Sequence, residues 1–276
     1  MSGLRYVYAI CRPLGSTTLP SQLTGVAGVP PKQLTHHGLV AIVSAVPEED
    51  FSEEPLKAHL EDLDWLSATA RAHQSVIDAL TVVTSPLPLR LATVFRDDSG
   101  VRTMMETQEE TFRRTLDRIE GRVEWGVKVY AEFSESSEAS DSPRSSGASG
   151  STEISEDTGA KSVKVGSGRD YLRQRRQQRR AHEDKWEQAD EFARRLHDAL
   201  SRVAEDARIH APQNPALSRA SGRNVLNAAY LVPRAESEEF VELVDRTKGD
   251  EPGLRVELTG PWAAYSFSGP AGQEGA

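Results

Sequence analysis

Residues Gly121–Phe133, GRVEWGVKVYAEF, constrain the fold more than any other stretch of this chain. Val123, Trp125, Val127, Val129, Ala131 and Phe133 share one parity; Glu124, Gly126, Lys128, Tyr130 and Glu132 share the other. Side chains on a strand alternate between faces, so the segment reads as a strand with one buried and one wetter face. Helix-forming sequence ends just before it, and a Ser- and Gly-dense tract begins just after it. The parts on either side must therefore meet through this strand.

Upstream, Leu4–Cys11 and Gly38–Val46 are apolar at nearly every position, as expected of strands covered on both faces. The segment 13–31 reads as loop from its spaced glycines and prolines. A helical region opens near Ser52. Its stripe of Leu56, Leu60, Leu63, Leu66, Ala70, His73, Ile77 and Leu80 fits one amphipathic helix, or two broken near Asp62. Thr81–Phe95 reads as extended on both sides of a bend, because Pro86 and Pro88 fit neither a helix nor a central strand. The next helix is capped by Asp98 or Ser99. It shows an inner face of Val101, Met105, Gln108, Phe112, Leu116 and Ile119, and Gly121 is placed to end it.

Downstream, Ser134–Gly168 has almost no large apolar residue and reads as a disordered insertion. A long helix follows, capped by Asp170, with Trp186, Ala189, Phe192, Leu196, Leu200, Val203 and Ala207 at helical spacing. Asn224–Val232 is a strand, Ser237 opens a short helix, and Leu254, Val256 and Leu258 mark a last strand. Strand, helix, strand, helix, strand is a ferredoxin-like order with one strand missing or hidden. The fold class is α+β in two domains. Residues 1–120 form an α+β N-terminal domain. Residues 121–267 form a modified ferredoxin-like domain interrupted by 134–168, and 268–276 is a frayed tail.

The chemistry-bearing residues are sparse. No phosphate loop, dinucleotide fingerprint, nucleophile elbow, His-Glu zinc motif or paired C-x-x-C occurs. His36 and His37 are adjacent and would point to opposite faces of a strand, so no metal site is expected of them. His73 reads as a core histidine, and the single cysteine, Cys11, as an inert buried one. Neither catalytic residues nor a cofactor is expected. Arg90, inside an apolar run, either pairs internally, the preferred reading, or faces outward on an edge. Trp262, Tyr265 and Phe267 either cover the end of the sheet or form an apolar patch for a partner. Arg90, Trp262, Tyr265 and Phe267 are thus the candidate partner contacts.

A net charge of −9 disfavours nucleic acid. The arginine run at 169–180 reads either as a patch for phosphate or an acidic partner or, the preferred reading, as the solvated start of a helix, although the positive helix end disfavours arginines there and favours a later start. No apolar run spans a bilayer and the N-terminus lacks signal-peptide features, so no membrane association is expected. A lone cysteine fits a reducing cytoplasm.

An ordered set of segments resembles the GvpL/GvpF family of gas vesicle accessory proteins. They are RYVYAI at Arg5–Ile10, GLVAIVSAVP at Gly38–Pro47, His73, PLPLRLATVF at Pro86–Phe95, GRVEWGVKV at Gly121–Val129, AAYLVP at Ala228–Pro233 and LTGPWAAYSF at Leu258–Phe267. Leu91-Ala92 departs from the Phe-Gly usual in the family. The resemblance implies an α+β N-terminal domain followed by a modified ferredoxin-like one. It also implies a non-enzymatic, minor component of gas vesicles that binds the apolar shell protein, limits its aggregation and helps nucleate assembly. Other accessory proteins are further implied partners, and no catalytic residues come with the family. The alternatives are a ligand- or RNA-binding regulatory α+β module and an enzyme with an unfamiliar site.

Overall fold

Two antiparallel sheets organise the computed structural model, which describes residues 3–15, 19–20, 22–133, 168–212 and 222–269. In the first sheet, β1 (Leu4–Cys11) is central. The hairpin of β2 (Lys32–His36) and β3 (Leu39–Val46) pairs with one edge of β1 through β3. Both long strands are buried almost throughout, as their continuous apolar sequence requires. β2 buries only Leu34, so its sequence alternation is faint.

Three helices follow: α1 (Glu48–Phe51), α2 (Glu53–Glu61) and α3 (Leu63–Val83). The break falls at Asp62, whose carboxylate accepts hydrogen bonds from the N–H groups of Asp64 (2.9 Å) and Trp65 (3.2 Å). It also interrupts the apolar stripe. Leu60 and Leu63 are 40% and 76% exposed, while Val76, Ile77 and Leu80 are buried. Thr81–Val83 continue α3 rather than starting an extended segment, because the helix-breaking signal of Pro86 acts only beyond Thr84. The bent run then supplies β4 (Leu87–Pro88) and β5 (Val94–Phe95), which pair with the second edge of β1. Pro88 is tolerated there because β4 is an edge strand.

Two helices, α4 (Asp98–Thr107) and α5 (Glu109–Ile119), replace the single one expected. Asp97, one residue before the expected cap, accepts from the N–H of Gly100 at 2.9 Å. Val101, Met105, Phe112, Leu116 and Ile119 are buried, but Gln108 is exposed at the break between the helices. Gly121, at φ +71°, turns the chain into the second sheet.

That sheet consists of β6 (Arg122–Ala131), β7 (Asp206–Ile209), β8 (Arg223–Pro233) and β9 (Leu254–Trp262), in the order β7-β8-β6-β9. With α6 (Gly168–Val203) after β6 and α7 (Ser237–Thr247) after β8, this is the complete β-α-β-β-α-β ferredoxin-like succession. The hidden strand is β7. Ala207 belongs to it, not to the helix, and four residues are too few to announce a period of two. α6 begins at Gly168, so Asp170 lies within it rather than capping it, and no later start is seen. Arg173, Arg175, Arg176, Arg179 and Arg180 are exposed along it. The expected disorder at 134–168 lies, Gly168 aside, outside the described residues, as does the tail from 270 on.

Three apolar cores result. α3 packs on one face of the first sheet with Tyr6, Tyr8 and Ile42. α6 and α7 pack on the second sheet with Val123, Val127, Val129 and Tyr230. Between them, Val7, Ile10, Phe112 and Leu116 of the first half meet Ala229, Leu231, Ala264 and Phe267 of the second. This last core covers the second sheet's other face near Glu124, which is buried although expected on a wet face; Tyr130, expected there too, is buried with the Arg255 guanidinium 4.6 Å from its ring centroid. Among the described residues, no helix is long and apolar enough to cross a membrane.

Candidate partner-binding surface

The segment after β9 is drawn into the seam between the two halves. Gly260 sits at φ +125°, and a Cβ there would lie 2.8 Å from the Glu124 carbonyl oxygen, so only glycine lets the chain pass. Ala263 enters the core beneath α3, and Ala264 and Phe267 enter the core between the halves. The Tyr265 hydroxyl donates to Oε1 of Gln74 at 3.2 Å. Phe267 has no exposed surface. The guanidinium groups of Arg118 and Arg208 lie 5.7 and 5.3 Å from its ring centroid.

The four candidate contacts therefore divide. Phe267 is interior and Tyr265 half-buried, the burial expected of the covering reading and not of an exposed patch. They serve as the wedge that closes the two halves. Trp262 remains 39% exposed. Arg90 is exposed, and the internal ion pair preferred for it is not formed among the described residues. Its backbone carbonyl accepts from the Thr93 hydroxyl at 2.7 Å, within the bend between β4 and β5.

Sequence periodicity missed a groove of about 480 Å³ between α6 and the β7–β8 edge. Its apolar lining includes Ala193, Ile209, Pro212, Val225 and Leu226, and its polar rim includes Asp190, Arg194, Asp198, His197 and His210. Ile209 is 59% exposed at its mouth. β7 pairs only with Ala228–Leu231 of β8, so Arg223–Leu226 have no strand on that side among the described residues. His197 is held to the sheet by a 2.8 Å contact between its Nδ1 and the Tyr230 hydroxyl. The signal lay in Ile209, an apolar residue closing the short strand DARI, but without the sheet order nothing marked it as exposed.

The ionisable groups of the interior are structural. The Tyr6 hydroxyl accepts from the Ala92 N–H (3.1 Å) and lies 3.0 Å from Nδ1 of His73. Burial lowers the His73 pKa to about 4. Burial likewise raises the Cys11 thiol to about 12, which removes the thiolate needed for reactivity. Burial raises the Glu124 carboxyl, against the opposing pull of its hydrogen bonds to Ser266 and of Arg208.

His36 and His37 do not sit on opposite faces of a strand. His36 ends β2 and His37 stands in the hairpin turn at φ +49°, so the two rings stack with centroids 4.3 Å apart. The reason for excluding a shared ion there does not hold.

The fold is thus a ferredoxin-like half joined through an apolar seam to an α+β half, with a lined groove at a sheet edge. The description "Gas vesicle synthesis protein GvpL/GvpF" matches residues 4–269, and the chain belongs to that family. It is 53% identical over 271 residues to gas vesicle protein L of Streptomyces sp. (strain CB03234), covering 98% of this chain and 95% of that one. Gas vesicle protein F of the same strain is 27% identical over 270 residues, covering 95% and 98%. The crystal structure of GvpF from Anabaena sp. PCC7120 superposes with a TM-score of 0.61 at 17% identity over 100% of both chains, a likeness of fold. The family places the chain among gas vesicle accessory proteins.

Proposed function

We propose that this protein binds the apolar shell subunit of gas vesicles, limits its aggregation and assists nucleation and assembly of the vesicle, without catalysing a reaction. The groove between α6 and the β7–β8 edge is the observation that carries this reading, with Ile209 59% exposed at its mouth. A free shell subunit exposes apolar surface and strand edges, both of which drive non-specific association. A partner that receives an apolar segment against Val225 and Leu226 removes that surface from water. The neighbouring backbone of Arg223–Leu226 can add strand-type hydrogen bonds. Other accessory proteins are further partners on this reading, through surfaces such as Trp262 and Arg90.

Capture of shell subunit on immobilised full-length protein tests the proposal. Ile209→Glu places a charge in the groove mouth and lowers recovery at least several-fold. Leu63→Glu, at a more exposed apolar position on the other half, leaves it unchanged. Recovery that survives Ile209→Glu but is lost with Leu63→Glu contradicts the groove assignment.

A further inference from the structure

The tip of the β2–β3 hairpin rests against the joint between α4 and α5. One nitrogen from each imidazole of His36 and His37, and one Glu106 oxygen, all lie within 4.8 Å of one another. The arrangement depends on the turn. Both His37 (φ +49°) and Gly38 (φ +70°) are left-handed, the two-residue geometry that lets His36 pair directly with Leu39. His37 thereby leaves the strand alternation and its ring falls beside that of His36.

The surroundings are built as well. His36 Nε2 is 2.6 Å from Glu106 Oε1. On the other ring, His37 Nδ1 is 3.0 Å from Glu109 Oε2, and Arg113 Nε donates to Glu109 Oε1 at 2.8 Å. Arg113 also donates to the His37 carbonyl. A carboxylate on one ring nitrogen fixes the tautomer and leaves the other nitrogen as a lone-pair donor, the usual support of a metal-ligating histidine. Glu109 holds His37 in that manner, and Arg113 holds Glu109.

We propose that His36, His37 and Glu106 form a surface site for a zinc-class divalent cation, with Glu109 as the positioning carboxylate behind His37. Two imidazoles and one carboxylate suit zinc, whereas magnesium and calcium take oxygen-rich sets. Zinc–nitrogen bonds of about 2.0 Å set tetrahedral donors roughly 3.3 Å apart, so the 2.6 Å contact between His36 and Glu106 opens on binding while any wider separation, up to 4.8 Å, closes. The adjustment is carried by the exposed Glu106 and by His37 at the hairpin tip. The fourth position is left to water. The ion clips the edge hairpin of the first sheet to the α4–α5 joint.

Calorimetric titration of the full chain with zinc chloride at neutral pH, with hydrogen exchange in parallel, tests the site. One ion binds per chain and is removed by a chelator. His36→Gln, His37→Gln and Glu106→Gln each abolish that binding. Glu109→Gln weakens it by about tenfold or more, and His182→Gln, on the surface of α6, leaves it intact. In the wild type, zinc slows amide exchange at residues 32–39 and 104–113. Absence of binding, retention of binding in any of the three ligand variants, or unchanged exchange at the hairpin overturns the proposal. The groove assignment above stands or falls separately.

Discussion

Glu124 receives both hydrogen bonds that Ser266 can give it: the Ser266 N–H reaches Oε2 at 2.7 Å and the Ser266 hydroxyl reaches Oε1 at 2.7 Å. The pair ties the middle of β6 to the segment that fills the seam. Bonds to a buried carboxylate are stronger than neutral ones, and removing one partner leaves the other desolvated. Ser266→Ala costs about 1 kcal/mol, since the backbone bond survives, and Glu124→Ala about 2 kcal/mol. Denaturant unfolding measures both. The double variant falls short of the sum because the two share one interaction.

Phe267 and Trp262 separate on the same assay. Phe267 is wholly interior, so Phe267→Ala opens a cavity between the halves and costs about 3–5 kcal/mol. Trp262 keeps 39% of its surface in water. Trp262→Ala costs about half as much, for less apolar area is removed from water. Equal losses at the two positions would contradict the wedge role of Phe267.

His73 makes stability pH-dependent. Its folded pKa of about 4 lies below the unfolded value of 6.5, so the unfolded chain binds more protons between these pH values. Stability from this group is complete above pH 6.5 and is lost as pH falls towards 4, by about 3 kcal/mol in all. His210, also lowered by burial, acts in the same direction. Glu124, whose folded pKa is raised, acts oppositely: its contribution is present at low pH and is lost as pH rises through that value. His73→Gln isolates the histidine. The variant's unfolding free energy varies less between pH 6.5 and 4 than the wild type's.

Ala92 occupies φ +62°, a left-handed conformation unfavourable to any side chain. Its N–H is the one that Tyr6 accepts, so the conformation is held in place by the core. Ala92→Gly relieves the strain and gains about 0.5 kcal/mol, the relief exceeding the added unfolded-chain entropy. Thermal unfolding registers it as a small rise in Tm. A fall would show that the alanine methyl packs usefully.

Much of this was legible in the chain. Continuous apolar runs announced β1 and β3, and Asp62 and Gly121 marked where helices stop and start. β7 was not legible, because Ala207 continues the spacing of α6 and four residues carry too little alternation. Nor was the burial of Glu124 and Tyr130. The parity of β6 describes one sheet, and only tertiary packing reveals a second layer on its polar face. Trp262, Tyr265 and Phe267 were visible as a cluster. Their division between surface and seam depends on the turn at Gly260 and on the Glu124–Ser266 bonds, which act across more than a hundred residues. The groove and the paired imidazoles have the same origin: each joins elements distant in sequence, or turns a side chain out of strand alternation.

Light scattering during aggregation of purified shell subunit, with and without the full-length protein, tests the central claim most directly. The account predicts a lag that lengthens with added protein and shortens again for Ile209→Glu. An unchanged time course at several-fold molar excess of the wild type would contradict it.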